Sequence, residues 1–398
     1  MKIGSRWGVS CLCAMMLLNA CGSRPAEQSM SGGQDTAEIQ VSEESTPELR
    51  ERGEWVETSE GGKLWKSKST FYDAFDTVIQ LTLYTESEEQ ADQYHETART
   101  EFERLHRLYD KYHRYEGVNN VFVLNEQAGG APVVVEEELY QLIRFAKDNA
   151  PRALNKTNIA MGSVLELWHD ARVAAGVYEN GVLLEESHAE AEKLPEQAAL
   201  QKAGAHTDLA GVVLDDAKKS VQLTDAEMSL DVGAVAKGYA TELVAKKLER
   251  EGLAHGLISA GGNVRTIGSP VNGRDTWLVG IQNPDLKATE LAAVLRIGAN
   301  QSVVTSGDYQ RYYVVDGKKY HHIIDPATRM PGTYFASVSV VTADSGLADF
   351  LSTALFLATP EEAEQIRRNF PEASIDVLWI DASGRQTATE GMKAMREE

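Results

Sequence analysis

The chain has 398 residues, 42% of them hydrophobic and 25% charged, a balance that excludes a wholly disordered protein and suffices for one large domain or two intimate ones. Its formal net charge of -21 argues against a nucleic-acid partner, which requires a basic face. An anionic ligand held by a local cation or metal is still permitted.

The N-terminus, MKIGSRWGVSCLCAMMLLNAC, places Lys2 and Arg6 before a short apolar run ending in Ala20, the layout of a cleaved signal peptide over residues 1–20. Leu18-Asn19-Ala20-Cys21 resembles a bacterial lipobox, which implies lipidation of Cys21 and anchorage to a membrane, facing outward from the cytoplasm. All three cysteines lie in this segment, so the mature body has no thiol for a disulfide, a zinc site or a nucleophile. Residues 21–69 are rich in Ser, Glu, Gly and Gln and read as a flexible acidic tether; the folded body is expected over 70–398.

FDTVIQLTLYT alternates as a strand, and Glu88 to Tyr115 carries apolar residues near the helical period. A second helix is expected over Glu136–Ala150 and another near Ala191–Ala203, then strands in VVLDDAKKSVQL and MSLDVG. Tyr239 to Arg250 is helical and capped by Gly252. Strands follow in GLISAGGN, TWLVGIQNP, AAVLRIG and SVVTSG, then a hairpin in RYYVVDGKKYHHII around Asp316-Gly317. SVSVVTAD is a strand, GLADFLSTALFLAT a helix, and Thr359-Pro360 starts a further helix. The irregular alternation and the lack of an internal repeat favour an α+β fold.

Four groups could carry chemistry. In YHHIIDPATRMPG, neighbouring side chains on a strand point to opposite faces, so His321 and His322 cannot easily share a metal; one faces a site, or is a packed or solvated strand-end histidine. In DVGAVAKGY, Lys237 at a helix N-terminus suits a bound phosphate, or is an ordinary solvent-facing lysine. Asp349 and Thr353 stand four apart on one helix face and suit Mg²⁺, or are a first-turn acid and a core residue. Gly261-Gly262, Thr305 and Ser306 could border a cleft, or belong to plain turns.

In order and spacing, DVGAVAKGYA, SAGGNV, WLVGIQNP, SGDYQRYY, GKKYHHIIDPAT and ADFLSTAL resemble the ApbE family, the FAD:protein FMN transferases of bacterial envelopes, as do TNIAMGSVLELW and Phe75-Asp76-Thr77. The resemblance spans roughly Phe71–Asp381. It implies antiparallel or mixed sheets with packed helices in two intimately associated subdomains, T-fold-like. It also implies a Mg²⁺-dependent enzyme that cleaves FAD, joins FMN through a phosphoester to a Thr or Ser of an acceptor, and releases AMP. Asp231, Lys237, Thr305, Ser306 and the Asn158–Met161 stretch, with Ala160 and Met161, would contact FAD. The Ala234 carbonyl, Asp349 and Thr353 would hold Mg²⁺, and His322 would lie beside the flavin phosphates as base, with His321 facing away. Acceptors would carry a D-G-x-[ST]-G-A-[ST] motif, as in subunits resembling those of Rnf and sodium-pumping quinone reductase complexes. The same site would serve an FAD pyrophosphatase, and a non-catalytic flavin-binding lipoprotein is the alternative of another class. The sequence departs from the family's usual residues at Asn158 and Ala160, where many members have Asp and Thr, at Arg329, where Gly is usual, and at Ser352, which replaces a second acid and speaks against two metal ions.

Overall fold

The computed structural model describes residues 48–397 except 60, 177, 180, 181, 184–193 and 272; the leader, Cys21 and the tether as far as residue 47 lie outside the described residues. So do residues 191–193 of the helix expected near Ala191; the helix that forms begins at Gln197, after an extended Glu196, and ends at Gly204. Among the described residues no helix is long and apolar enough to cross a membrane.

One nine-stranded sheet organises the body. Its strands are β1 (Leu49–Glu57), β2 (Lys63–Phe71), β3 (Ile79–Thr85), β4 (His255–Ala260), β5 (Asn263–Ile267), β6 (Ser302–Gly307), β7 (Ser337–Thr342), β8 (Asp376–Ile380) and β9 (Gln386–Ala388). They lie side by side in chain order and every neighbouring pair is antiparallel. The main helices are α1 (Glu88–Tyr109), α2 (Glu137–Asn149), α3 (Gly162–Ala174), α4 (Ala236–Arg250), α5 (Ser345–Phe356) and α6 (Pro360–Arg368). The expected α+β class is what forms.

Alternation along each strand divides the core in two. Val304, Val340 and Val377 join the helices' apolar faces, while their neighbours Val303, Val341 and Leu378 pack against the ribbon made by Trp277–Ile281 and Ala293–Ile297. A third apolar cluster seats α3 on the hairpin: Trp168 stacks on Tyr320 with ring centroids 6.0 Å apart, and Tyr313 and Ile324 complete it. That hairpin, Tyr312–Val315 with Lys318–His321, forms as the sequence suggests.

Residues 49–69, expected to belong to the tether, instead form β1 and most of β2. The strand β1 is an exposed sheet edge held by cross-strand pairs rather than by a buried period: Trp55 meets Trp65 edge-on at 5.4 Å, and Lys66 and Lys68 reach Glu54 and Glu51 at 2.9 and 3.4 Å. Hydropathy does not register such a strand. MSLDVG is not a strand, contributing only a bridge between Ser229 and Met161. The first helix stops at Tyr109, not Tyr115, because the Asp110 carboxylate accepts from the Tyr112 amide at 2.6 Å and the Tyr115 hydroxyl at 2.8 Å and folds the chain back. α3, β8, β9 and the short helix Glu390–Ala394 had no counterpart in the expectations.

Candidate active site

The chain enters α4 through Asp231-Val-Gly-Ala-Val, and α5 packs across its first turn. Gly238 makes that approach possible: a Cβ there would stand 2.3 Å from the Ser345 carbonyl oxygen and 2.4 Å from the Asp349 Cβ. The Gly238 amide donates to Asp349 Oδ2 at 2.7 Å. In a regular helix that amide would close on the carbonyl four residues back; here no backbone amide of the described residues donates to the Ala234 carbonyl. A buried carboxylate and an open carbonyl therefore stand at the same helix junction. Burial raises the Asp349 carboxyl above the usual range, against the pull of the Lys237 ammonium and the Gly238 amide. Thr353, one turn on from Asp349, is half-buried on the same face.

Lys237 lies in the first turn of α4, half-buried, with its ammonium 3.3 Å from the Gly233 carbonyl. Asp231 is paired instead with Lys111 at 2.8 Å and accepts from the Gly233 amide, also at 2.8 Å. Burial opposes its ionisation, yet Lys111 holds the carboxyl below its ordinary value.

The histidines divide as strand geometry requires. His321 is buried: its Nε2–H donates to the Gly332 carbonyl at 2.8 Å, its Nδ1 accepts from the Ile323 amide at 3.2 Å, and its ring meets Phe356 edge-on. It is a latch for the loop after the hairpin. His322 is half-buried, and its Nδ1 has no hydrogen-bond partner among the described residues. Burial, then the charges of Arg311, Arg172 and Lys237, hold it well below the ordinary histidine range, so the imidazole is neutral at pH 7. Those cations place it in the same electrostatic neighbourhood as Lys237.

Not every expected residue reaches this site. Thr305 and Ser306 do not line one cleft: Ser306 meets Ser352 of α5 at 2.8 Å, while Thr305 points to the other face of the sheet, against Ser339 at 2.8 Å. Consecutive strand residues cannot do otherwise. Ala160 and Met161 are 0% and 3% exposed, backbone included, so neither presents a surface to a ligand. Both polar ends of the Asn158 side chain are engaged by its own loop and its neighbour, its Nδ2 donating to the Thr207 carbonyl and its Oδ1 accepting from the Ala160 amide. That loop runs beside Asp231, whose amide donates to the Ile159 carbonyl at 2.8 Å. Arg329 takes a left-handed φ of 60°, the conformation that favours glycine. Lys111, Arg172 and Arg311 were missed; each is an unremarkable cation in sequence and gains meaning only from what the fold places beside it.

The sequence matches the ApbE family over residues 75–379. The chain belongs to that family. Two ApbE-family relatives, both named FAD:protein FMN transferase, come from Treponema pallidum (strain Nichols) and Klebsiella pneumoniae (strain 342). The first is 35% identical over 68% of this chain and 72% of its own length, the second 34% over 63% and 74%. Among solved structures, the ApbE protein from Thermotoga maritima superposes with a TM-score of 0.70 at 24% identity, covering 84% of this chain and all of that one. The flavin transferase ApbE from Vibrio cholerae gives 0.67 at 18% identity over 86% of this chain and all of its own. These two likenesses establish the ApbE fold.

Proposed function

We propose that this ApbE-family protein is an FAD:protein FMN transferase that acts with Mg²⁺. The observation that carries the reading is the Lys237 ammonium, which at one helix junction stands with the Asp349 carboxylate and an open carbonyl and whose charge also acts on a neutral His322 with an unpartnered Nδ1. The relatives' name supports the same substrate and product.

The oxygen donors fit a hard cation. Asp349 supplies a carboxylate that burial leaves short of compensation, Ala234 a carbonyl without an amide, and Thr353 a hydroxyl on the same face. Once bound, Mg²⁺ would draw charge from the pyrophosphate oxygens and so ease attack at phosphorus. Lys237 would balance the remaining negative charge. His322, neutral at pH 7, would take the proton of the acceptor Thr or Ser hydroxyl as its oxygen bonds to the FMN-side phosphorus. The bond from that phosphorus to the bridging oxygen breaks, and AMP leaves with the bridging oxygen. With Ser352 in place of a second acid and bonded to Ser306, one metal ion suffices for the reading.

The acceptors we propose are envelope-facing flavoprotein subunits bearing the D-G-x-[ST]-G-A-[ST] motif, of the Rnf and sodium-pumping quinone reductase kind, with the enzyme tethered to the same membrane through a lipid on Cys21. Labelled palmitate should be incorporated by the natural chain and not by Cys21→Ser; equal labelling would remove the anchor. For the reaction, the full chain in detergent is incubated with FAD, Mg²⁺ and an acceptor domain carrying the motif. A gain of one FMN in the acceptor's intact mass, matched by AMP and lost with EDTA, is expected. AMP and free FMN without any gain would make the protein a pyrophosphatase, and FAD bound without AMP a passive binder.

A further inference from the structure

Arg311 precedes the hairpin that carries His322, and its carbonyl accepts the His322 amide at 3.0 Å, so the two residues are fixed side by side. Its guanidinium leans across to the turn at Phe75-Asp76, where it donates to the Asp76 carbonyl at 3.5 Å, the outer limit of a hydrogen bond. That turn is itself held in an unusual shape, with left-handed φ of 60° and 47° at two consecutive non-glycine residues. The Phe75 amide is tied to His106 Nδ1 at 3.2 Å. Arg311 therefore spans from the hairpin to a rigid turn.

What it lacks is a carboxylate. The chain has 60 acidic residues against 39 Lys and Arg, and several half-buried cations have acidic partners: Arg99 with Asp73 and Glu103, Lys111 with Asp231, Lys156 with Asp325 and Glu362. Arg311 is half-buried and has no acidic partner among the described residues. A half-buried guanidinium with one long hydrogen bond among the described residues, beside a histidine whose Nδ1 is also unpartnered there, suits a phosphate, whose oxygens match its planar fork. The Lys237 ammonium, whose charge also acts on His322, belongs to α4, so the two cations come from different elements of the fold.

We propose that Arg311 is a second pyrophosphate-binding residue, gripping the dinucleotide from the hairpin side while Lys237 grips it from α4. The inference rests on the transferase reading for the identity of the ligand. It adds that the hairpin itself binds substrate, so the base and one phosphate contact move as a unit. Pairing with the anion would also cancel the charge that most strongly opposes protonation of His322, leaving a better base in the loaded enzyme than in the empty one.

The test uses the full chain in detergent and two probes, FAD and riboflavin, which share the isoalloxazine but differ in the pyrophosphate. Arg311→Gln should weaken FAD about tenfold to hundredfold, as expected for loss of a charged hydrogen-bonded contact, and leave riboflavin unchanged. The steepness with which FAD affinity falls with salt should also decrease, and Arg311→Lys should recover part of the loss. Should the Gln variant not fold, the Lys variant alone decides, through a selective weakening of FAD. Unchanged FAD affinity, or equal losses for FAD and riboflavin, would overturn the proposal. Failure of the natural chain to transfer FMN, with FAD still bound and Arg311→Gln still selective, would refute the transferase reading alone.

Discussion

Gly238→Ala tests how closely the site depends on the α4–α5 crossing. The added methyl would sit 2.3 Å from the Ser345 carbonyl oxygen and 2.4 Å from the Asp349 Cβ, both fixed to α5. Ordinary contact is about 3.5 Å, so the helices must part by about 1 Å. Overpacking of this kind costs up to about 3 kcal/mol, and alanine's better helix propensity returns about 1, leaving a net loss of about 2 kcal/mol. For a body of this size that is a drop of about 3 °C in Tm. The larger effect falls on chemistry, because the atom displaced belongs to the residue that carries the buried carboxylate, and its bond from the Gly238 amide at 2.7 Å is broken or bent. A misplacement of about 1 Å can cost about 10²-fold in rate. Intact-mass measurement of FMN transfer to an acceptor domain, alongside a thermal melt, gives both numbers. Transfer within twofold of the natural chain at unchanged Tm would refute the reasoning, since it would mean that the crossing is loose.

The remaining predictions concern single groups. His322→Ala should abolish transfer while FAD still binds, read by AMP release and by flavin fluorescence; full retained transfer would remove the base. Asp349→Asn should lower transfer at least a thousandfold and raise the Mg²⁺ concentration needed for whatever rate remains, whereas an unchanged Mg²⁺ dependence would place the cation elsewhere. His95 is buried between the hydroxyls of Ser67 and Ser69, each 2.8 Å from a ring nitrogen, and burial, aided by the Arg50 charge, lowers it to about 4 from an ordinary 6.5. Its folded value being the lower one, it contributes stability that is present above pH 6.5 and lost as pH falls toward 4, on the order of 3 kcal/mol. Denaturant melts of the natural chain and His95→Gln at pH 7 and 4.5 should converge at the lower pH, and parallel losses would contradict this. Arg329→Gly should be more stable than Arg329→Ala by about 1 kcal/mol, because both discard the side chain and only alanine still strains a φ of 60°. Equal Tm values would mean that the left-handed turn relaxes.

The helices α1 and α2, with a strong amphipathic period, α4, punctuated by Gly252, and the hairpin at Asp316-Gly317 were legible because each packs on a core or is bounded by turn residues. The strand β1 was not, since Glu and Arg make up much of it and its pairing is carried by contacts from Lys66 and Lys68 of β2 and by one tryptophan pair. α3 has a weak apolar stripe because Trp168 and Arg172, one turn apart, share its buried face, so its period is interrupted by a polar group that only the fold explains. The same distinction runs through the site. Asp349, Thr353, Lys237 and the His321–His322 pair stand at spacings that carry chemistry locally, one helical turn or one strand step apart, and could be read in line. Lys111 and Arg311 could not, because their meaning is a distance to Asp231 or to the Asp76 carbonyl, across 120 residues and 235 residues of chain.

That difference bears on how the site works. Local spacing fixes which atoms can act on a phosphate, but the charges that set their protonation come from distant elements meeting at one junction. Burial, reinforced by Arg311 and Arg172, keeps His322 neutral, and Lys111 keeps Asp231 ionised against burial. A substitution at any of these cations should therefore alter the pH profile of transfer before it alters the fold. Arg172→Met, in particular, should shift the acidic limb of the kcat/KM profile upward by relieving His322 of one charge. A limb unmoved in that variant would mean that desolvation alone holds the base neutral, leaving the cations the single task of binding the dinucleotide.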